Sequence, residues 1–158
     1  MERLENLLRH VSHVRENCEL LGERLIARGD AAIGLQLIAN GHIHDNSKFY
    51  GLEWEYLNDG AWPYDDDSKK ELFAAALKQH VVTNPHHPEY WPGGIKSMPP
   101  LYLAEMVCDW HARSSEQGTD LCEWARGKAP KRFGFSKRSR IAIEIKEFLD
   151  LLLERKFK

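Results

Sequence analysis

The amino-acid sequence predicts an all-α protein, and three observations carry that prediction. Apolar residues recur in steps of three and four at Leu4, Leu7, Leu8, Val11, Val14, Cys18, Leu21 and Leu25, which gathers them on one side of a helix. Between such stretches stand helix stops and starts, with Gly29-Asp30, Gly41, Asp59-Gly60 and Pro99-Pro100 as punctuation. The one run that alternates like a strand, RIAIEI from residue 140, continues as KEFLDLLLE with helical spacing and has no second run to pair with.

In chain order, the first helix spans residues 4–25, and Gly29-Asp30 ends it and caps AAIGLQLIAN. A short helix over GLEWEYLN closes at Asp59-Gly60. The stretch AWPYDDDS reads as a turn, with Asp67 or Ser68 capping KKELFAAALKQHVV. The Pro- and Gly-rich TNPHHPEYWPGGIKSMPP is too long for a simple connection, and loops of that length inside compact domains are usually functional or mobile. A helix from Pro100 to Ser115 begins on two prolines, which suit a first turn. LCEWARGK makes a short helix. SKRSRIAIEIKEFLDLLLERK makes the last and longest of the C-terminal ones, with Ser136 as its cap.

A chain of 158 residues suits one domain with one hydrophobic core, and 42% apolar with 29% charged residues is ordinary for a soluble globular protein. The net charge of −2 provides no strong field for nucleic acid or an anionic membrane, so neither is an expected partner. The late basic run, with Lys128, Lys131, Arg132, Lys137, Arg138 and Arg140, reads as a solvated face, with binding of nucleic acid or phosphate as the alternative. No stretch approaches the ~20 apolar residues of a membrane span, and MERLENLLRH lacks a signal-peptide core. Three cysteines at unrelated spacings, Cys18, Cys108 and Cys122, argue against a disulfide framework and for a reducing, cytoplasmic setting.

The chemistry-bearing residues are histidines and carboxylates. His44-Asp45 sits at a helix end in NGHIHDNSKF, His10 lies at the edge of the first apolar stripe, and Asp109 stands among Met106, Val107 and Trp110. A carboxylate in such company costs free energy unless it is hydrogen-bonded, paired or bound to metal. Two imidazoles and two carboxylates from His10, His44, Asp45 and Asp109 would suit a hard or borderline divalent ion such as Mn²⁺, Fe²⁺, Mg²⁺ or Zn²⁺. Asp45 has two oxygens and could bridge to a second ion, for which HVVTNPHHPEYW offers His80, His86 and His87. Tyr90 and Trp91 either wall a pocket and stack on a substrate ring or anchor the long loop to the core.

The order H…HD…H…H…D resembles the HD superfamily of metal-dependent phosphohydrolases. HVSHVRENCELL is similar to its first motif, with His10 rather than His13 as the aligned ligand. HDNSKF, NPHHPEYW and MVCDW together most resemble an uncharacterised branch of small HD-like proteins of bacteria and phages. The likeness covers about residues 8–113, and the C-terminal helices over 120–156 add no recognised motif. It implies a compact HD-like bundle of about six helices. It implies that His10, His44, Asp45 and Asp109 hold a first metal, with His80 and one of His86 or His87 supporting a second. The ion could be Mn, Fe, Mg, Co, Ni or Zn.

In this reading Lys48 faces the same pocket and serves with Asp45 in catalysis, holding a substrate phosphate as a point charge. His87, Tyr90 and Trp91 complete the substrate contacts. The chain departs from the nucleotidase-like members, which carry an acidic residue where Lys48 stands, so no general base transfers to that position. Glu53, Glu55, Glu89 and His87 are the acid–base candidates. The expected function is metal-dependent hydrolysis of a phosphate ester, with a nucleotide as one candidate substrate. The alternatives are a non-catalytic module binding a nucleotide or a protein, and an iron-dependent oxygenase of HD type. Homo-oligomeric assembly stays open.

Overall fold

The computed structural model describes residues 2–57 and 66–154, and among them every regular element is helical. Eight α-helical segments follow in order: α1 (Glu2–Arg28), α2 (Ala31–Gly41), α3 (Gly51–Leu57), α4 (Asp67–Thr83), α5 (Pro100–Gln117), α6 (Leu121–Glu123), α7 (Ala129–Phe133) and α8 (Arg140–Leu152). Single 3₁₀ turns cover Asn46–Phe49, Pro88–Tyr90 and Gly94–Ser97, and a π-helical turn covers Trp124–Lys128. The all-α expectation is thus met. The turn expected over AWPYDDDS and the stop at Asp59-Gly60 fall mostly outside the described residues.

The stripe read from the sequence is the buried face of α1, where Leu7, Val14, Cys18, Leu21 and Leu25 are all covered. Leu4 and Leu8, at the margin of that stripe, stay exposed. α5 packs against α1, α2 and α8, so the core runs from Val14 through Leu103, Met106 and Val107 to Ile145 and Leu152. Cys18 and Cys108 are free and buried in it, as plain core residues. Arg24 of α1 reaches across and donates to the carbonyls of Leu151 and Leu152, at 2.6 and 2.9 Å, satisfying acceptors that the end of α8 leaves open.

Glycines set the close approach of α1 and α2. A Cβ on Gly34 would lie 2.5 Å from the Gly22 carbonyl oxygen, and one on Gly22 would lie 2.7 Å from that of Gly34. Neither backbone oxygen can swing aside. Gly34→Ala is therefore expected to destabilise the protein by about 1–3 kcal/mol through overpacking, despite the better helix propensity of alanine. Urea denaturation of the two proteins checks the sign, which helix propensity alone would reverse.

Local details differ from the sequence expectation at helix ends. α4 is capped by Asp66, whose carboxylate accepts from the Ser68 amide at 2.9 Å, rather than by Asp67 or Ser68. α8 starts after Ser139, which accepts from the Ala142 amide, three residues later than the Ser136 cap expected. Asp30 precedes α2 but makes no side-chain cap bond. LCEWARGK is a short helix only over Leu121–Glu123 and then widens into the π turn, where the Ala129 amide donates to the Trp124 carbonyl. Pro130 has no amide hydrogen to continue the α-helical register there.

Candidate metal centre

His10 projects from α1 toward the turn that leaves α2. In that turn Asp45 adopts φ 54° and ψ 21°, the left-handed conformation that a non-glycine residue rarely holds. This backbone twist lets neighbouring His44 and Asp45 face the same buried space. α4 delivers His80, and the loop after it delivers His86 and His87. α5 contributes Glu105 and Asp109, one helical turn apart.

These groups converge on Asp45. Its Oδ1 lies 3.4 Å from Nε2 of His80, 3.4 Å from Nε2 of His86 and 3.6 Å from Nε2 of His44. Its Oδ2 lies 3.7 Å from Nε2 of His10 and accepts from Lys48 Nζ at 2.6 Å. His10 Nε2 is also 3.2 Å from Asp109 Oδ1, and His87 Nε2 is 2.9 Å from His80 Nε2. Asp45 thus belongs to two candidate donor groups, one with His10 and His44, the other with His80, His86 and His87. Asp109 closes a further overlapping group with His44 and His86.

In four of these imidazoles, those of His10, His44, His80 and His86, the opposite edge is held by a carboxylate. Nδ1 of His10 meets Glu116 at 3.0 Å, Nδ1 of His44 meets Glu105 at 3.1 Å, Nδ1 of His86 meets the same Glu105 oxygen at 3.4 Å, and Nδ1 of His80 meets Glu53 at 2.8 Å. Glu105 also accepts from Asn40, and Glu53 accepts from Ser47. A carboxylate on Nδ1 fixes the ring so that Nε2 points inward, which is how metal-binding histidines are usually oriented. Glu53, an acid–base candidate from the sequence, is fully buried and bonded to His80 and Ser47.

The charges follow from the same contacts. Burial alone would raise the Asp45 carboxyl, but Lys48, then His44 and His86, hold it well below the usual carboxylate range. Burial would likewise raise Asp109, and His10 and His44 pull it far down. Glu105 is brought down to about 2, its burial outweighed by His44 and His86. Burial opposes the charging of His86, yet its contacts with Asp45 and Glu105 carry it up to about 10. His87 goes the other way, to about 2, through burial and the neighbouring His86 and His80.

Buried Nε2 atoms of His10, His44 and His86 and the Oδ1 atoms of Asp45 and Asp109 have no hydrogen-bond partner among the described residues. Burying polar atoms unsatisfied is costly, and here five of them face one another with the ligand chemistry of a divalent ion. The residues fit a metal.

Both His86 and His87 reach the centre, where the sequence offered one or the other. Lys48 is mostly buried and engaged with Asp45. Tyr90 and Trp91 lie elsewhere: Trp91 donates to the Pro85 carbonyl at 2.9 Å and packs against Tyr102, so it anchors the loop. Among the described residues, a cleft of about 700 Å³ opens beside Asp109 and His87 instead, walled by Trp110, Trp124 and Phe133. His42 pairs with Glu19 at the surface, His111 with Asn17, and His13 approaches Glu116.

The sequence reading missed Glu105, Glu116 and the cleft. For Glu105 the signal was present: it stands one turn before Asp109 amid Leu103, Ala104, Met106 and Val107, the same argument that singled out Asp109.

Fold and site together define an all-α bundle with a buried imidazole–carboxylate centre that could hold a divalent ion. No helix of the described residues is long and apolar enough to cross a membrane. The chain belongs to a family of unknown function (DUF5662), whose pattern matches residues 1–154. No curated protein and no solved structure matches it.

Proposed function

We propose that the protein is a metal-dependent phosphohydrolase acting on a small phosphate ester. The observation that supports this best is the set of unsatisfied Nε2 and Oδ1 atoms of His10, His44, His86, Asp45 and Asp109, next to a cleft that carries Arg113, Lys128 and Arg132. The ordered HD-type motifs support the same reading. A divalent ion held by His10, His44, Asp45 and Asp109, with a second supported by His80, His86 and His87, would polarise a phosphoryl oxygen and lower the pKa of a bound water.

The chain's own groups do the rest. Glu53, Glu105 and Glu116 fix the imidazoles and so pre-organise the centre before substrate arrives. Lys48 donates to Asp45 and offsets part of its charge. Its ammonium is already bonded, so it acts on a phosphate through its field more than by direct contact. Asp109, whose side chain is 15% exposed, lines the cleft as well as facing the centre. His87, held neutral by its burial and by the neighbouring His86 and His80, lines the same cleft.

The test strips the protein with a chelator, reloads it with Mn²⁺, Mg²⁺, Co²⁺, Ni²⁺, Zn²⁺ or Fe²⁺, and measures phosphate release from a panel of phosphomonoesters and nucleotides. Release is expected with at least one redox-inert ion and none without metal. Turnover that requires Fe²⁺ and consumes oxygen would replace the proposal with an oxygenase. Tight binding of a panel member without release under any ion would make the protein a binding module.

A further inference from the structure

We infer that the cleft between α5 and the π-helical turn is a specificity subsite, which takes a substrate carrying a planar ring and an anionic group beyond the reacting phosphate. The inference rests on the phosphohydrolase reading for the identity of the reacting group, and on the cleft itself for everything else.

Position comes first. Asp109 and His87 line the cleft, so it borders the metal centre. Its volume, about 700 Å³, falls in the range of sites that enclose small molecules.

Charge is the second point. Arg113 follows Asp109 by one turn of α5, so a cation sits about 6 Å along the helix from a ligand of the centre. Lys128 and Arg132 line the cleft too, again one turn apart. Arg113 meets Glu116 only at a long 3.4 Å, and the Arg132 guanidinium rests over Trp124 and Phe133, 5.9 and 5.2 Å from their ring centres. Of the acidic residues on the rim, Asp120 is spent accepting from the Cys122 and Glu123 amides, and Glu123 remains. Lys128 and Arg132, from the basic run read in the sequence as a solvated face with phosphate binding as the alternative, thus line a cleft beside the centre.

The aromatic wall is the third. Trp110 is buried, parallel to Phe133 at 6.0 Å and edge-on to Trp124 at 5.8 Å, which makes a stiff backing. Trp124 is only half-buried and retains ring surface for a ligand. It opens the π turn, and such turns gather at functional sites because they re-aim side chains at a cost in helix regularity.

The experiment uses the full chain loaded with metal. Calorimetry and intrinsic tryptophan fluorescence follow titration with ADP, AMP, ribose 5-phosphate and inorganic phosphate. Affinity is expected to fall at least tenfold from ADP to AMP and again from AMP to ribose 5-phosphate. Arg113→Ala/Arg132→Ala should weaken ADP at least tenfold while leaving metal affinity and inorganic phosphate unchanged, and Trp124→Leu should erase the difference between AMP and ribose 5-phosphate. Equal affinity for all four probes, failure of all to bind, or variants that bind ADP like the parent would overturn the subsite. The two readings fail separately. Probe binding without phosphate release removes the phosphohydrolase and leaves the subsite, whereas release with an unchanged KM in the double variant removes the subsite and leaves the phosphohydrolase.

Discussion

Glu105→Ala is expected to weaken divalent-ion binding by roughly 10–100-fold and to destabilise the metal-free protein by about 3–5 kcal/mol. One buried carboxylate holds two imidazoles here, since a single oxygen of Glu105 meets Nδ1 of both His44 and His86 while the other accepts from Asn40. Its removal frees two rings from the orientation that aims Nε2 inward, and it takes away a charge that helps carry His86 up to about 10. The cost to the metal-free protein comes from leaving buried donors unpaired, which exceeds what a surface pair would lose. Titration calorimetry with Mn²⁺ or Zn²⁺ and urea denaturation in chelator measure the two effects. Parental metal affinity in the variant would show that Glu105 does not position the ligands.

For Asp45→Asn the expected loss of metal affinity exceeds that of Glu105→Ala, to more than about 100-fold, with phosphate release abolished. Asparagine is the informative replacement because, after glycine, it tolerates the left-handed conformation at φ 54° best, so the turn keeps its shape and only charge is lost. Asp45→Ala would add backbone strain of about 1–2 kcal/mol and confuse the result. The substitution also strips mostly buried Lys48 of the carboxylate it donates to, so the metal-free protein should lose a few kcal/mol. Adding Lys48→Met is expected to return much of that stability without returning metal binding. Metal analysis and thermal unfolding of the single and double variants separate the charge that binds the ion from the charge that balances it. Retained metal in Asp45→Asn would move the centre away from Asp45.

What could be read directly from the chain was whatever one segment decides by itself. The stripe from Leu7 to Leu25 dictates a helix and its buried face, because 3.6-residue periodicity is a property of neighbours. His44-Asp45 stood out as an imidazole beside a carboxylate at a helix end, Asp109 as a carboxylate costly in apolar surroundings, and their order along the chain resembles a known arrangement of motifs. Asp109 was found by that cost; Glu105, subject to the same cost one turn earlier, went unread because no motif drew the eye to it.

Only the tertiary structure decided which carboxylate serves which imidazole and where the cleft opens. His44 meets Glu105 across 61 positions and His10 meets Glu116 across 106, pairings created by how α5 crosses α1 and α2. That crossing depends on the packing of the whole core, as the close approach of α1 to α2 depends on the contact between Gly22 and Gly34, and no local pattern encodes either. Arg113, Lys128 and Arg132 look like ordinary solvated charges along the chain. They become one basic cleft wall where α5, with Arg113, faces the π turn and α7, with Lys128 and Arg132.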